Sequence, residues 1–447
     1  MKCPALLVAC VLAFALCGCS GKGEGVSGSK KVVITYWAQP LVKSIEGMEN
    51  QTPNPGDYET ILAQRFMEMH PEVEIRVQSV SWDDMTTKVP AAVLAGRAPD
   101  VVSDYLGRTS GYAYKGWLEP LENAIPPDEL ADYYEDWIRQ YTVDGHLHGL
   151  PGYAWLNVLV VNRALWDAAG KADLIPTLDD PTWTVDDFRE ACKAVAKPGE
   201  VWPFGLLLSS EQGDYNRFAF LWGFGAKLYE NGDYSRPTLA SAAGVKGLEF
   251  LLELQKGGLV QPGATTIKDD PLNNLFWMGK VGIQGHSLVF WKLTDLVREE
   301  GRVKVPMDLT LAKYPNVPGV KAGLAMGPSG HVVFRQSDPV KRKWAIEFVR
   351  YMSLPEHVKA FCRNCGQLPS RKSVGNPRSQ DPFYTASLRL MEEYGVEDMG
   401  LTSPYYYDIR VELTDQMQAA FLGKKTAREA LADYEKNARE IIARARR

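Results

Sequence analysis

Three aspartates stand where carboxylates could do chemistry or bind a hydroxylated ligand. Asp83 lies in the first turn of a predicted helix, Asp104 at the end of a predicted strand, and Asp214 in a polar loop. Two carboxyls flanking one glycosidic bond could act as acid and base in its hydrolysis. The same groups could instead accept hydrogen bonds from sugar hydroxyls while aromatic rings cover the apolar face of the sugar. The residues alone leave both interpretations open.

Other catalytic patterns are absent from the sequence or incomplete. It contains no His-Glu-x-x-His, Walker or dinucleotide-binding motif. Residues 285–289 begin like a nucleophile elbow but lack its final glycine. His146 and His148 form a His-x-His pair on a predicted strand, but a metal site is not expected there. No cofactor, metal or catalytic residue is expected.

The elements that position Asp83 and Asp104 lie in residues 58–105. Apolar residues at helical spacing predict a helix over 58–69, and alternation predicts a strand over 73–77. Ser81 is the predicted cap of a second helix ending at Gly96, and an apolar strand begins at residue 100. A strand, a crossover helix and a strand imply parallel, right-handed pairing. Ligands are then expected at the carboxyl ends of the strands.

This segment also resembles the extracellular solute-binding proteins, family 1, which deliver sugars to ABC importers. The resemblance rests on His70-Pro71, on Trp82-Asp83-Asp84 and on residues 96–102 (GRAPDVV). Pro90 departs from the pattern because it falls inside the small-residue helix, where it should kink or restart it. The resemblance implies an α/β fold of the type II periplasmic-binding-protein class. Two α/β lobes are joined by several crossings, with a ligand cleft between them.

Further motifs extend the resemblance and suggest how the lobes divide. Similar to the family pattern are residues 144–151 (DGHLHGLP), 158–166, 257–263, 276–283 and 366–373. Lobe 1 is expected to contain 31–152 and 312–352, and lobe 2 to contain 153–311 and 353–447.

Loops from both lobes should supply the binding residues. The resemblance also places a stacking tryptophan near His286, but here the nearest tryptophan is displaced to Trp291. The expected ligand-contacting residues are Trp37, Gln39, Trp82, Asp83, Asp104, Tyr105, Arg108, Trp155, Asn157, Asp214, Tyr215, Trp222, His286, Trp291, Arg371, Tyr405 and Tyr406.

The N-terminus predicts export and lipid attachment. Residues 1–18 have a lysine followed by a short apolar run, as in a signal peptide, and Cys19 follows a small residue in a lipobox-like sequence. Residues 19–30 then form the lipidated cysteine and a flexible tether rich in glycine and serine. In an oxidising compartment, Cys362 and Cys365 are candidates for a local disulfide.

Composition narrows the range of partners. The formal net charge is −5 and basic runs are isolated, which argues against nucleic acid. The expected protein is a monomeric, non-enzymatic lipoprotein of the cell envelope that captures a mono- or oligosaccharide by cleft closure and passes it to a membrane permease. The alternatives are a hydrolase with paired carboxylates and a binder of a peptide or polyamine. An anionic ligand would call for more cations at strand ends than Arg108 and Arg371.

Overall fold

A computed structural model describes residues 31–39, 41, 43–209 and 213–445, so Cys19 and the signal and tether predictions lie outside the described residues. The strands are β1 Val32–Ala38, β2 Val73–Ser79, β3 Val101–Tyr105, β4 Thr142–Val143, β5 His146–Leu147, β6 Leu150–Asn162, β7 Trp202–Gly205, β8 Tyr229–Glu230, β9 Asp233–Pro237, β10 Val281–Ser287, β11 Leu309–Ala312, β12 Ala325–Val333 and β13 Leu368–Pro369. The helices are α1 Asp57–Met69, α2 Trp82–Leu94, α3 Leu106–Tyr114, α4 Pro127–Ala131, α5 Glu135–Gln140, α6 Ala164–Ala168, α7 Val185–Val195, α8 Asp214–Gly223, α9 Ala242–Lys256, α10 Asp269–Trp277, α11 Val289–Glu299, α12 Pro339–Met352, α13 Pro355–Cys365, α14 Pro382–Tyr394, α15 Tyr406–Phe421 and α16 Ala427–Ala445.

One long strand, β6, joins the two halves of the main sheet. The strand order is β2-β1-β3-β12-β6-β10-β7, and β11 and β13 also pair with β6. β12 pairs with residues 150–157 of β6, whereas β10 pairs with 157–161 and β11 with 159–162. The 13 residues of β6 are nearly all buried, as expected of a strand covered on both faces. Because β6 is continuous, the two halves share one backbone element at the level of Asn157.

The first strands show the expected parallel arrangement with one correction. β2 and β3 do not pair with each other, because β1 lies between them and is parallel to both. β1 precedes the predicted unit in the chain, and period-two alternation does not reveal which neighbour a strand pairs with. The carboxyl ends of β1, β2 and β3 nevertheless meet at one edge, as the ligand-site prediction requires.

Local capping chemistry explains where two of the helices begin. The Ser81 hydroxyl accepts a hydrogen bond from the Asp84 amide at 3.2 Å and starts α2, which continues through Pro90 to Leu94. Thr184 and Asp187 form a complete capping box at the start of α7. The Thr184 amide donates to Asp187 Oδ2 at 2.9 Å, and the Asp187 amide donates to Thr184 Oγ1 at 3.1 Å. These reciprocal bonds satisfy two amides that a helix end leaves without partners.

The cysteine prediction needs a correction. Cys362 and Cys365 are free thiols in α13, and both are buried. In a helix the Cβ atoms of residues three apart lie about 5–6 Å from each other. A disulfide needs about 3.8 Å, so a regular helix holds this pair too far apart. Burial raises the pKa of the Cys365 thiol to about 12.

The described residues contain neither a membrane-spanning helix nor a cluster of metal-ligating side chains. None of the helices described is long and apolar enough to cross a membrane. Across those same ranges, no three metal-ligating side chains of the His, Cys, Asp or Glu type come together.

Removing the α7 capping box should destabilise the protein measurably. For Thr184→Ala we expect the free energy of unfolding to fall by about 1 kcal/mol, because the Asp187 amide loses the hydroxyl that accepts its hydrogen bond. Thr184→Ser keeps the hydroxyl and should stay close to wild type. Urea unfolding followed by circular dichroism measures both, and equal stabilities of the Ala and Ser variants would contradict the capping role.

Candidate functional site

A buried ion pair forms where β3 ends and α3 begins. Arg108 Nε and Nη2 donate to the two carboxylate oxygens of Asp104, each at 2.7 Å. Gln39, at the end of β1, donates from Nε2 to Asp104 Oδ1 at 3.0 Å. Arg108 also donates to the Trp82 carbonyl at 3.2 Å, and its guanidinium lies 5.6 Å from the centre of that indole. Asp104 and Arg108 are four residues apart, the spacing that brings two side chains to one face of a turn.

A second buried ion pair joins distant parts of the chain. Arg410 in α15 donates from Nη2 to Asp214 Oδ1 at 2.8 Å, at the start of α8. Arg410 Nη1 donates to the Tyr105 hydroxyl, and the Tyr406 hydroxyl donates to Asp214 Oδ2 at 3.0 Å. Asp214 is 1% exposed and Arg410 is 3% exposed. This cluster ties β3, α8 and α15 together at the strand-end edge of the sheet.

Glycine makes the close approach of the tyrosines possible. A Cβ on Gly107, in the first turn of α3, would meet the rings of both Tyr105 and Tyr406. A larger residue there would push the two phenols apart. The ion-pair cluster therefore depends on a position without a side chain.

Burial and charge fix the protonation states of this cluster. Burial alone would lower the pKa of Arg410, but the Asp214 carboxylate outweighs it and the pKa stands well above its ordinary value. Arg108 behaves in the same way beside Asp104. Burial raises the pKa of Tyr105 and of Tyr406. Both arginines are thus charged and both phenols neutral at physiological pH.

An aromatic pair lies next to the ion-pair cluster. The rings of Trp155 in β6 and Tyr215 in α8 have centroids 5.4 Å apart, and both residues are partly exposed. Gly327, opposite Trp155 in β12, leaves room for the indole, since a Cβ there would come 2.7 Å from it. Asp214 precedes Tyr215, so one helix start supplies both a ring and a carboxylate. An apolar face beside hydrogen-bonding groups is suited to a pyranose ring.

A polar group behind Trp155 offers hydrogen bonds. The Tyr314 hydroxyl contacts Asn157 Oδ1 at 2.6 Å and also contacts Asn216 Oδ1. One hydroxyl has one proton to donate, so one of these amides must turn its NH₂ toward the tyrosine. Asn157 Nδ2 is buried without a hydrogen-bond partner among the described residues. A Cβ on Gly285 would collide with Asn216 and Tyr314, so this position admits glycine alone.

Three predicted site residues lie elsewhere, and the structure corrects them. Trp222 is buried in the core, with its ring stacked 5.9 Å from Phe218. Trp291 packs in α11 with its ring 5.1 Å from Phe383. An apolar residue followed by a loop looks alike in sequence whether its ring faces the core or a cleft, which explains both errors.

Arg371 is also a structural residue. Its Nε donates to the Ser353 carbonyl at 2.7 Å, and its Nη atoms donate to Asp132 and Glu129 at 3.2 and 3.3 Å. The guanidinium lies 4.2 Å from the centre of the Tyr133 ring. All of these partners lie outside the ion-pair cluster.

The remaining predicted residues are placed as follows. Trp37 is half-buried in β1, and the ring of His286 in β10 contacts Phe290 at 4.6 Å. Tyr405 precedes α15 next to Tyr406, and its amide donates to the Ser403 hydroxyl at 3.1 Å. Asp83 lies in α2, but its side chain is outside what the structure describes.

The sequence interpretation missed Arg410, Tyr314 and Asn216. Arg410 lies four residues after Tyr406 in α15. Leu413 and Met417 of the same helix are also buried. An arginine in such an apolar stripe indicates that an oppositely charged residue is buried beside it, because charged side chains are rarely buried unless they are paired. Tyr314 follows β11 closely, so its position near a strand end was a second signal.

The comparisons with known proteins agree with this architecture. A solute-binding protein of an ABC transporter from Thermotoga lettingae, bound with α-D-tagatose, superposes with a TM-score of 0.76 at 22% identity, covering 92% of this chain and 100% of that one. This likeness shows the type II periplasmic-binding-protein fold. A family profile described as bacterial extracellular solute-binding protein matches residues 50–359. The chain belongs to this family.

Two curated relatives extend the comparison. A maltotriose-binding protein of Pyrococcus abyssi is 22% identical over 366 residues, 79% of this chain and 69% of the relative. An uncharacterized lipoprotein of Streptomyces antibioticus is 22% identical over 317 residues, 70% of this chain and 66% of the relative.

The Asp214–Arg410 pair should show strong coupling in a double-mutant cycle. Arg410→Met leaves a buried carboxylate without its cation, and we expect a loss of about 3–5 kcal/mol of unfolding free energy. Combining it with Asp214→Leu should cost far less than the sum of the two single variants. Guanidinium unfolding of all four proteins measures the coupling, and additive losses would show that the charges do not depend on each other.

Proposed function

We propose that this protein captures a sugar outside the cytoplasm and delivers it to the membrane permease of an ABC importer. The observation that carries the proposal is the Trp155–Tyr215 pair beside the hydrogen-bonding groups of Asn157 and Asp214. Sugar recognition requires both kinds of group, because a buried hydroxyl without a partner costs about 1–3 kcal/mol. The names of two relatives, which give maltotriose and tagatose as ligands, support the same class.

Capture works by closure of two lobes, which we assign to 31–152 with 312–352 and to 153–311 with 353–447. In this division the Arg410–Tyr105 hydrogen bond and the Lys43–Glu300 ion pair at 2.7 Å both cross between lobes. A ligand that contacts both sides favours the closed form by the difference in its affinity for the two forms. The permease then receives the ligand from the closed protein, with no bond made or broken.

The proposed anchor is a lipid on Cys19, with the mature chain working as a monomer at the extracytoplasmic surface of the membrane. A signal-peptide-like start, a lipobox-like sequence and a relative named as a lipoprotein support this placement. Several acyl chains would hold the protein firmly, since each buried CH₂ contributes about 0.8 kcal/mol.

The hydrolase alternative has less support. A glycosidase needs one carboxyl that can carry and donate a proton. Asp104 and Asp214 each accept hydrogen bonds from a buried arginine at 2.7–2.8 Å. Carboxylates engaged in this way can orient a ligand or a neighbouring phenol, and they suit a binding role.

Trp155 should be required for sugar affinity. A thermal-shift screen of mono- and oligosaccharides, including maltotriose and tagatose, first identifies the sugar that stabilises most. For Trp155→Ala we expect affinity for that sugar to fall by about tenfold or more, which is about 1.4 kcal/mol. Isothermal titration calorimetry measures it, with Trp344→Phe in α12 as the control. Unchanged affinity in Trp155→Ala would contradict the stacking role.

The bound sugar should be recovered intact. Incubation of the purified protein with the stabilising sugar, followed by chromatography, should show constant sugar and no product. Product that accumulates with time in proportion to protein would overturn the binding proposal in favour of the hydrolase.

A further inference from the structure

A pocket lies beside Gln39, whose side-chain amide donates to Asp104. Seven elements contribute to its lining: β1, α1, β3, β6, β12, α12 and α13. Its lining includes Tyr36, Tyr58, Glu59, Tyr153, His331 and Phe361. Trp155 and Tyr215 are not among its lining residues, but Tyr153 stands two residues before Trp155 in β6.

Glu59 is the charged group of this cavity. Glu59 is 6% exposed, and its carboxylate oxygen Oε2 is buried with no hydrogen-bond partner among the described residues. Burial raises the pKa of Glu59 to about 7, and the charge of Asp57 acts in the same direction. A buried carboxylate without a counter-ion is costly, so the group either takes up a proton or meets a cation.

The groups that face Glu59 provide no positive charge. Burial lowers the pKa of His331 to about 4, so its ring is neutral, and Nε2 lies 3.2 Å from the Tyr36 hydroxyl. Burial also lowers the pKa of His357 and raises that of Tyr36, Tyr58 and Tyr153. The titratable groups around Glu59 are Tyr36 on β1, Asp57 and Tyr58 on α1, Tyr153 on β6, His331 on β12, and His357, Cys362 and Cys365 on α13. No lysine or arginine belongs to the lining.

We propose that this cavity binds the protonated amine of an amino sugar, with Glu59 as its counter-ion. The assignment rests on the proposed sugar-binding function and names the ligand class more closely. The ammonium supplies the positive charge that the lining lacks, and the rings of Tyr58 and Phe361 can add cation–π attraction. The hydroxyls of Tyr36 and Tyr153 and the free nitrogen of His331 suit the hydroxyls of the sugar. An anionic ligand would meet Glu59 without any compensating cation.

Calorimetric titration at pH 6.5 with three sugars of matched shape tests the assignment. D-Glucosamine should bind at least about tenfold more tightly than D-glucose or N-acetyl-D-glucosamine, a difference of about 1.4 kcal/mol. Glu59→Gln should remove this preference, and Glu68→Gln, an exposed acid on the same helix, should keep it. Equal affinities for the three sugars, no glucosamine binding, or a preference that survives Glu59→Gln would each overturn the proposal. If neutral sugars still bind in a Trp155-dependent way, the proposed function stands while the cavity assignment falls.

Proton release gives an independent readout. Because the pKa of Glu59 is near 7, an ammonium that binds at pH 6.5 should displace its proton into the buffer. Titrations in buffers of different ionisation enthalpy should report this release for glucosamine in wild type. The release should vanish in Glu59→Gln, and its persistence there would assign the proton to another group.

The dependence of stability on pH tests the role of Glu59 and also shows whether the Glu59→Gln variant folds. The folded-state pKa of Glu59 is raised above its ordinary value of 4.5, so its folded form prefers to keep the proton. Burying the charged Glu59 carboxylate lowers the stability of the folded protein. This loss of stability is absent below about pH 4.5, grows as the pH rises toward about 7, and reaches its full size above pH 7. The melting temperature of Glu59→Gln should equal or exceed that of wild type at pH 8. A lower melting temperature at pH 8 would show that the charged form is stabilised by the fold and would overturn the counter-ion assignment.

Discussion

The buried Asp214–Arg410 ion pair is the constraint on which the arrangement of the site depends. Taking two charges out of water costs several kcal/mol per ion, and the cost is offset only when geometry and further hydrogen bonds are good. Here Tyr105 and Tyr406 supply those hydrogen bonds. Elements from residues 105, 214 and 410 must therefore meet in one geometry, or the charges are left unsatisfied. The pair selects one arrangement of β3, α8 and α15 as much as it stabilises that arrangement.

The shared strand β6 links the two halves of the main sheet. Its first part pairs with β12 and its last part with β10 and β11. Trp155 and Asn157 lie in the region where one set of neighbours gives way to the other. Binding groups placed there would respond to bending between the halves.

The sequence predicted the elements well wherever the signal was local. The stripe of α1, the alternation of β2 and the caps at Ser81 and Thr184 depend on residues within a few positions of each other. Site residues depend on pairing over long separations. Asp104 and Tyr105 were predicted as site residues because they end a strand, whereas Arg410 was not predicted because its partners lie 196 and 305 residues away. Trp222 and Trp155 are both tryptophans in apolar segments, and only tertiary packing separates the core ring from the ring beside the cleft.

The buried thiols of the described residues have a practical consequence for spectroscopy. Cys192, Cys362 and Cys365 are all buried, and burial holds the pKa of each thiol above its ordinary value. Maleimide dyes react with exposed thiolates, so these three cysteines should remain unlabelled while the protein stays folded. One engineered surface cysteine on each half could then carry a donor or an acceptor dye, and opening could be followed by energy transfer between the two dyes without replacing any of the buried cysteines.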